Sequence, residues 1–211
     1  MARTIKLVTP PAGFRYETNF LTEAEEDELV STISQLPFKE YEFRGYLGRR
    51  RIVSFGLEYD INGYTLNRLD DIPDYLVRVR DRAAGFAGVR PAELVHVLVT
   101  EYTAGTPIGW HRDRPQFHDV IGVSLLSPCT FRFRRRVSSD VFERHSVELE
   151  PRSIYLLSGD ARYEWQHSIP PVDQLRYSIT FRTMSGRDSF PGASQRAVAD
   201  PSPAGQLSFD F

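Results

Sequence analysis

Two stripes of apolar residues at helical spacing lie in the N-terminal half of the chain. The first stripe follows a T-x-x-E capping box at 22–25, ends at Pro37 and comprises Leu29, Val30, Ile33 and Leu36. The second lies behind Asp71 and Pro73 and comprises Ile72, Leu76, Val79, Ala83 and Phe86. Each stripe predicts one amphipathic helix with a single buried face.

From Leu94 onward the pattern changes to short β-rich runs separated by turn residues. The runs are LVHVLVTEY, VIGVSLL, CTFRFRR, HSVELE, SIYLL and RYSITFR. Helices followed by many short strands predict an α+β fold, an antiparallel sandwich or jelly roll with the N-terminal helices packed on one side. Residues 41–61, between the two helices, are rich in Gly, Arg and aromatics without a helical period, so we expect short surface strands and loops there.

The bulk composition is that of one soluble globular domain. The 211 residues are 41% hydrophobic and 26% charged, and a formal net charge of -2 favours no particular partner. Cys129 is the single cysteine, so no intrachain disulfide can form and a cytoplasmic location is expected. No run of sequence suits a signal peptide or a membrane span. Ser, Gly, Pro and charge predominate after Met184, so we expect one domain at 1–184 and a weakly ordered tail at 185–211.

The stretch GWHRD places His111 and Asp113 two residues apart behind a tryptophan. On a strand both side chains face the same way, so one metal ion can contact both, although such a pair is more often a solvated strand end. A site with two histidines and one carboxylate needs a second imidazole, and His167 is the candidate. His118 stays open as a ligand. His96 and His145 are interpreted as structural residues. Trp110 and Trp165, which flank the candidate ligands in the sequence, are interpreted as core aromatics.

The run RYSITFR divides into an apolar and a polar face at period two. The polar face comprises Arg176, Ser178, Thr180 and Arg182. Arginines on a strand face are commonly solvated charge. If this face instead looks into a barrel, the guanidinium groups need an anionic ligand such as a dicarboxylate, because burying them unpaired is costly.

These motifs together resemble the AlkB family of Fe(II)- and 2-oxoglutarate-dependent dioxygenases, whose members share the double-stranded β-helix fold. Members carry H-x-D, a distant His and then R-x-N-x-T-x-R, which fall here on His111 and Asp113, on His167, and on the run from Arg176 to Arg182. The family's cosubstrate tyrosine, nine residues before the first His, is matched by Tyr102. The resemblance covers residues 14 to 183, and the combination is far more specific than any one motif.

The resemblance implies a ligand set for iron and for 2-oxoglutarate. Fe(II) is expected on His111, Asp113 and His167. The cosubstrate is expected on Arg176, with help from Tyr102, with Ser178 beside it and with Arg182 at the other end. The expected chemistry is oxidative demethylation with release of succinate, CO2 and formaldehyde.

Three positions depart from the family pattern. Ser178 and Thr100 stand where the family commonly has Asn, so some hydrogen bonds to the cosubstrate must be made differently. Pro115 stands where the best-known repair members carry an acidic residue that contacts the damaged base. The last departure puts the methylated-base specificity in doubt, although not the chemistry.

Residues 41–61 correspond in order to the family's nucleotide-recognition lid. The substrate-contact candidates are Arg49, Arg50, Arg51, Tyr46 and Phe55, a mix of cations and aromatics suited to phosphates and to a flipped base. A solvated arginine-rich hairpin is the competing interpretation. FRFRRR, residues 131–136, is interpreted as a strand with Phe inward and Arg exposed, with phosphate contact as a second role.

The last six residues, QLSFDF, resemble the short peptides with which bacterial DNA enzymes dock on the replication sliding clamp. Gln206 would donate and accept hydrogen bonds, and Leu207, Phe209 and Phe211 would be apolar anchors. A frayed or domain-packed terminus is the alternative. Clamp docking would favour DNA as the substrate and a bacterial source.

The resemblance favours an enzyme that demethylates alkylated nucleobases, in DNA more than in RNA. The alternatives are the same chemistry on RNA or on methylated lysine in a protein. A third class comprises a jelly-roll binding module without turnover, or a zinc hydrolase that uses the same two His and one carboxylate. The arginine pair argues against a hydrolase, since a zinc-bound water needs no buried clamp for a dicarboxylate.

Overall fold

The fold is taken from a computed structural model, which describes residues 10–43, 46–60, 65–139 and 141–184. Three helices are α1 (Glu23–Ile33), α2 (Asp74–Ala87) and α3 (Gly159–Tyr163). The first six strands are β1 (Phe14–Glu17), β2 (Lys39–Phe43), β3 (Tyr46–Asp60), β4 (Thr65–Arg68), β5 (Leu94–Tyr102) and β6 (Ile108–His111). The others are β7 (Phe117–Leu125), β8 (Cys129–Arg136), β9 (Phe142–Leu149), β10 (Ser153–Leu157), β11 (Gln166–Ile169) and β12 (Arg176–Met184).

Both predicted helices are confirmed. Thr22 caps α1 through the expected capping box, in which its hydroxyl accepts from the Glu25 backbone and the Glu25 carboxylate accepts from the Thr22 backbone. The helix ends at Ile33, before Pro37, with Ser34 as its C-cap. In α2 the predicted stripe is the buried face, and the helix ends at Gly88 in the left-handed conformation, which glycine adopts without strain.

The strands form two antiparallel sheets. The larger sheet has the order β1-β10-β7-β12-β5-β3-β2, with β4 paired to β3, and the smaller has the order β6-β11-β8-β9. The two sheets face each other as a double-stranded β-helix, and the predicted jelly roll is therefore confirmed. None of the helices in the part of the chain that the structure describes is both long and apolar enough to cross a membrane.

Two hydrophobic cores lie on opposite faces of the larger sheet. One packs α1 and α2 against its outer face and contains Leu29, Ile33, Leu76, Val97 and Ile179. The other lies between the sheets and contains Phe131, Phe133, Tyr155 and Trp165. The helices therefore close one face of the larger sheet, and the space between the sheets is left for a site.

The expectation of short surface strands and loops for 41–61 was wrong for most of the segment. β3 runs for 15 residues, and its second half is a member of the larger sheet, with Val53 opposite Val99 of β5. Phe55 is 6% exposed in the core beside the helices. The glycines and arginines before Ile52 hid this strand, because the apolar alternation of Val53, Phe55, Leu57 and Tyr59 begins only in its second half.

Candidate active site

The polar face of β12 turns into the space between the two sheets. Arg176, Ser178, Thr180 and Arg182 are each at most 7% exposed, while Tyr177, Ile179 and Phe181 pack in the core beside the helices. β12 is central in its sheet, with Ser178 between Thr100 of β5 and Ser124 of β7. Of the two interpretations of this run, the solvated one is therefore excluded.

Arg176 is buried more completely than its charge allows without a partner. Its side chain is 1% exposed, Nε donates to the Ser124 hydroxyl at 3.1 Å, and its guanidinium carbon lies 5.1 Å from the centre of the Tyr102 ring. Nη1 is buried and has no hydrogen-bond partner. A buried guanidinium with an unused donor is costly and is suited to a carboxylate that enters the cavity.

Arg182 lies at the other end of the same strand face, against a carboxylate of the protein. Nη2 donates to Oδ1 of Asp113 at 3.1 Å, and Nη1 lies 3.3 Å from Nδ1 of His96. Nε is buried without a partner. Arg182 therefore ties the strand that carries Arg176 to the loop that carries Asp113, and it keeps one donor for a further ligand.

The candidate metal ligands come together from two paired strands and the loop after β6. His111 and His167 are direct cross-strand partners, with ring centres 4.2 Å apart. Oδ2 of Asp113 lies 3.7 Å from Nε2 of His167. Nδ1 of His111 donates to the Gly109 carbonyl at 2.8 Å, so its Nε2 carries the lone pair that a metal needs.

The three candidate ligands line the same cavity, but their donor atoms do not converge on one point. Within 10–43, 46–60, 65–139 and 141–184, no group of three or more His, Cys, Asp or Glu side chains has the geometry of a metal site as it stands. One carboxylate oxygen of Asp113 is occupied by Arg182. Two imidazoles and one carboxylate are nevertheless a donor set that suits Fe(II) with open positions.

Burial and charge set the protonation states that such a site requires. Burial, with a smaller contribution from His111, lowers the pKa of His167 to about 3. Burial also lowers the pKa of His111, against the opposing effect of Asp113. Burial alone would raise the pKa of Asp113, but Arg182 and the two histidines outweigh it and leave that pKa lowered. Near neutral pH the site thus offers two neutral imidazoles and an anionic carboxylate.

A cavity of about 400 Å³ joins the three candidate ligands and Arg182; Arg176 is not one of its lining residues, but its neighbours Tyr102 and Ser178 are. Its lining includes the candidate ligands. Phe131 lines it from the smaller sheet, and Tyr102, Tyr155, Ser178, Thr180 and Arg182 line it from the larger sheet. Tyr155 lies across the backbone of Gly122, where an added Cβ would lie 2.2 Å from its ring. Gly122 therefore provides the space in which the Tyr155 ring lies.

The candidate substrate contacts whose side chains the structure describes divide between the two faces of β3. Arg50 lines the cavity together with Ile52 and Ser54, and Arg49 is exposed. Arg51 lies on the opposite face, where it pairs with Glu101 at 2.7 Å. The prediction that Phe55 stacks on a base was wrong, since its ring is in the hydrophobic core. The side chain of Tyr46 lies outside the described residues.

Several residues of the site were not predicted from the sequence. His96 lines the cavity and contacts Arg182, although it was assigned a structural role only. Counting back from Tyr102 in steps of two along β5 would have found it. Trp110 was expected in the core and is instead half-buried on the cavity wall, whereas Trp165 is 3% exposed in the core as expected.

The two remaining histidines lie outside the cavity lining. His118 has a side chain that is 52% exposed and pairs with Asp119. His145 is buried edge-on to Trp165, with 5.2 Å between ring centres, as expected for a structural residue.

Comparison with known proteins matches the same region of the chain. A family model described as the 2OG-Fe(II) oxygenase superfamily matches residues 13–182. An Arabidopsis thaliana protein named alkylated DNA repair protein ALKBH8 homolog is 30% identical over 199 residues, which are 82% of this chain and 55% of that protein. The Mus musculus protein named tRNA (carboxymethyluridine(34)-5-O)-methyltransferase ALKBH8 is 25% identical over 183 residues, which are 82% of this chain and 26% of that protein.

The chain spans about half or less of the length of these relatives. An uncharacterised mimivirus protein, L905, is 34% identical over 101 residues, or 42% of this chain and 47% of that protein. The solved structure of OsALKBH1 superposes with a TM-score of 0.62 at 18% identity and covers 83% of this chain and 98% of that one. At that identity the structural match shows a common fold.

Proposed function

Because this chain belongs to the 2OG-Fe(II) oxygenase superfamily and is AlkB-like, we propose that it removes alkyl groups from nucleobases of nucleic acid by oxidation. As a member of that family it is a dioxygenase that uses Fe(II) and 2-oxoglutarate. Membership is inconsistent with the binding-module and zinc-hydrolase alternatives. The nucleobase substrate is the proposed part.

The buried guanidinium of Arg176 is the observation that carries the proposal of a 2-oxoglutarate site. Nη1 is a buried donor without a partner, and Tyr102 and Ser178 line the cavity next to it. A dicarboxylate would give this group the acceptor that it lacks. We assign Arg176 to the carboxylate that is distant from the metal, and Arg182, which contacts Asp113, to the metal end.

The metal-binding residues in the proposal are His111, Asp113 and His167. When bound there with 2-oxoglutarate, Fe(II) supplies the oxidation of a substrate C–H by O2, with conversion of the cosubstrate to succinate and CO2. The chain holds the two imidazoles neutral and the carboxylate anionic by burial and by the charge of Arg182. On an N-methyl group the hydroxylated product breaks its N–C bond, so formaldehyde leaves and the proton returns to nitrogen.

Nucleobases are proposed as substrates from the shape and lining of the cavity. Its volume of about 400 Å³ lies in the range of small-molecule pockets, and its wall combines Trp110 and Phe131 with Arg50. A flipped base needs flat apolar contacts, and its phosphates need cations at the mouth. From residues 41–61, Arg50 supplies a cation to this lining, beside Ile52 and Ser54, and this supports the proposal.

DNA is the proposed polymer, and RNA is kept as a second candidate on one observation. The Arabidopsis relative is named for repair of alkylated DNA, whereas the mouse relative is named as a tRNA methyltransferase. Methylated lysine has no such support. We further propose that residues 1–184 act as one catalytic domain. The tail that contains Gln206, Leu207, Phe209 and Phe211 lies outside the described residues, and its docking on a sliding clamp stays a proposal.

The test is a panel of methylated substrates in DNA, in RNA and in peptides. Formaldehyde and succinate would be measured together with Fe(II), 2-oxoglutarate and O2. Equal yields of the two products on one polymer, with uncoupled succinate on the others, would identify the substrate. Release of formaldehyde from the peptides alone would refute the nucleobase proposal and leave the oxygenase assignment intact.

A further inference from the structure

The outward face of the smaller sheet carries four arginines in a compact group, which we name the arginine face. Its members are Arg132, Arg134 and Arg136 of β8 and Arg144 of β9. The alternating Phe131 and Phe133 of β8 are buried between the sheets, so the arginines are directed to the outside. Arg134 and Arg144 are direct cross-strand partners.

The charges of the arginine face are not compensated by acidic side chains. Within the described ranges none of its four members is paired with a carboxylate, whereas the adjacent Arg135 pairs with Glu143 at 2.8 Å. Among the described residues of β8 and β9 that face this side, Glu148 is the acidic one, and it lies at the far end beside Thr130. Like charges directly opposite on neighbouring strands are destabilising, so Arg134 and Arg144 would gain from an anion between them.

Side-chain hydrogen bonds hold two of these arginines in place on the sheet. Nε of Arg132 donates to the Ser168 hydroxyl at 3.0 Å, and Nε of Arg134 donates to Oε1 of Gln166 at 2.7 Å. Burial lowers the pKa of Arg134, and Arg144 and Arg136 lower it further. Partners that accept at Nε orient the guanidinium without neutralising its charge.

Two aromatic rings are interleaved with the arginines. The guanidinium carbon of Arg134 lies 4.6 Å from the centre of the Trp110 ring and 5.0 Å from that of Phe142. Arg132 lies 5.1 Å from Trp110, and Arg136 and Arg144 each lie 5.4 Å from Phe142. Cations interleaved with half-buried aromatic rings are typical of surfaces that bind single-stranded nucleic acid.

Trp110 also connects the arginine face to the active site. Its ring packs with Arg132 and Arg134 on the outward face, and Trp110 is also one of the residues that line the cavity, next to His111 in the sequence. A strand that follows the arginines would therefore arrive at the cavity mouth at Trp110.

We propose that the arginine face binds the phosphodiester backbone of a single-stranded nucleic acid and that Trp110 stacks on a base next to the one that enters the cavity. The inference rests on the proposed function and adds the surface that positions the polymer. Arg132, Arg134 and Arg136 recur every second residue, about 6.8 Å apart in an extended strand. That repeat suits successive phosphates, and the flat rings distinguish a polynucleotide from an acidic peptide.

The test compares two double variants of the full chain, loaded with Mn(II) and 2-oxoglutarate. Arg136→Gln with Arg144→Gln neutralises two exposed members of the arginine face. Arg78→Gln with Arg90→Gln removes the same charge from the α2 side, as the matched control. Binding of unmethylated 16-nucleotide single strands of DNA and of RNA, the matching duplex and polyglutamate would be measured over a range of salt concentrations.

The first double variant should bind either single strand roughly ten- to thirtyfold more weakly at 0.1 M salt, with a log–log salt slope about 1.4 shallower, since each lost phosphate contact on a single strand removes about 0.7. The control should match the wild type. In a separate assay with Fe(II), 2-oxoglutarate and O2 but no nucleic acid, succinate formation should be equal in all three proteins. Equal salt slopes for the two double variants would overturn the proposal.

Tryptophan fluorescence tests the stacking. Trp165 is 3% exposed, so quenching by an added strand would report on Trp110, and Trp110→Phe should abolish it. Tighter binding of polyglutamate without quenching would overturn the assignment to nucleic acid. If the first double variant loses single-strand binding and no methylated nucleic acid yields formaldehyde, the proposed demethylase function is refuted but the nucleic-acid-binding role of the arginine face stands. The DNA and RNA arms identify which polymer binds more tightly.

Discussion

Replacing Arg176 with methionine should make the ligand-free protein more stable and its complex with 2-oxoglutarate weaker. The substitution keeps the apolar stem and removes a guanidinium that is 1% exposed and has an unpartnered Nη1. A buried charge without a counter-ion costs several kcal/mol, from which the lost bond to Ser124 must be subtracted, so we expect a net gain of about 1–3 kcal/mol. For a domain of this size that is a rise in Tm of roughly 2–12 °C.

The effect on the cosubstrate has the opposite sign. A hydrogen-bonded charge pair contributes about 1.5–3 kcal/mol, so Arg176→Met should weaken 2-oxoglutarate binding roughly ten- to hundredfold. Saturating cosubstrate, at about 100 times the wild-type Kd, should stabilise the wild type by about 2.7 kcal/mol and the variant by about 1.3–2.3 kcal/mol less. The stability advantage of the variant should therefore shrink or reverse when 2-oxoglutarate is added.

The assay is thermal unfolding with and without 2-oxoglutarate, in Mn(II) and without oxygen, together with calorimetric titration of the cosubstrate. Arg176→Lys separates charge from geometry, because it keeps the buried charge but loses the fork; it should bind 2-oxoglutarate poorly and gain no stability. Arg78→Met, on the exposed side of α2, is the control and should change neither quantity. Unchanged affinity for 2-oxoglutarate in Arg176→Met would refute the assignment of this side chain to the carboxylate.

Three further predictions concern the metal ligands and the cavity wall. Asp113→Ala should abolish succinate formation. It should also destabilise the metal-free protein by about 3–5 kcal/mol, because Arg182 loses its buried acceptor. Urea unfolding of Asp113→Ala, of Arg182→Met and of the double variant measures the coupling between the two residues. Gly122→Ala should cost about 1–3 kcal/mol and raise the KM for 2-oxoglutarate, since its Cβ would lie 2.2 Å from the Tyr155 ring; Tyr155→Leu should restore stability in the double variant, and no restoration would contradict the steric cause. The metal-free protein should lose stability on acidification, because the pKa values of His96, His111 and His167 are lowered in the fold and the unfolded chain takes up protons below about pH 6.5. Urea unfolding at pH 7.5 and 5.5 should differ by up to about 1.4 kcal/mol for each of these three groups, and stability that is flat or rises on acidification would contradict their burial as neutral rings.

The sequence predicted the parts of the site that lie on regular strands. The alternation in RYSITFR separated the two faces of β12, but it left open whether the polar face is solvated, and only the structure showed that this face is buried. H-x-D with a distant His identified three residues that the structure brings together, although it could not predict that Arg182 holds one oxygen of Asp113. Such a contact depends on how the loop after β6 meets β12, 69 residues later.

The parts that were missed have a weak local signal or one that neighbouring arginines outweighed. β3 was hidden because its first half is rich in Gly and Arg, and its pairing with β2 contains a register shift. Phe55 was assigned to a substrate surface because neighbouring arginines suggested exposure, whereas its position two residues after Val53 determines its burial in the core. Trp110 sits on the cavity wall because β6 is short and joins the smaller sheet at its edge, which no pattern of four residues reveals.

The pairing of His111 with His167 has a consequence beyond chemistry. β6 is a four-residue terminal strand of its sheet, joined to its neighbour β11, so few backbone bonds fasten it. An ion bound by both imidazoles would cross-link β6 and β11 at the edge of the smaller sheet. Iron binding would then lower the rate at which β6 separates from β11. Amide hydrogen exchange at 108–111 should therefore slow when the ion is added. Metal binding would thus also stabilise β6, the strand that carries Trp110.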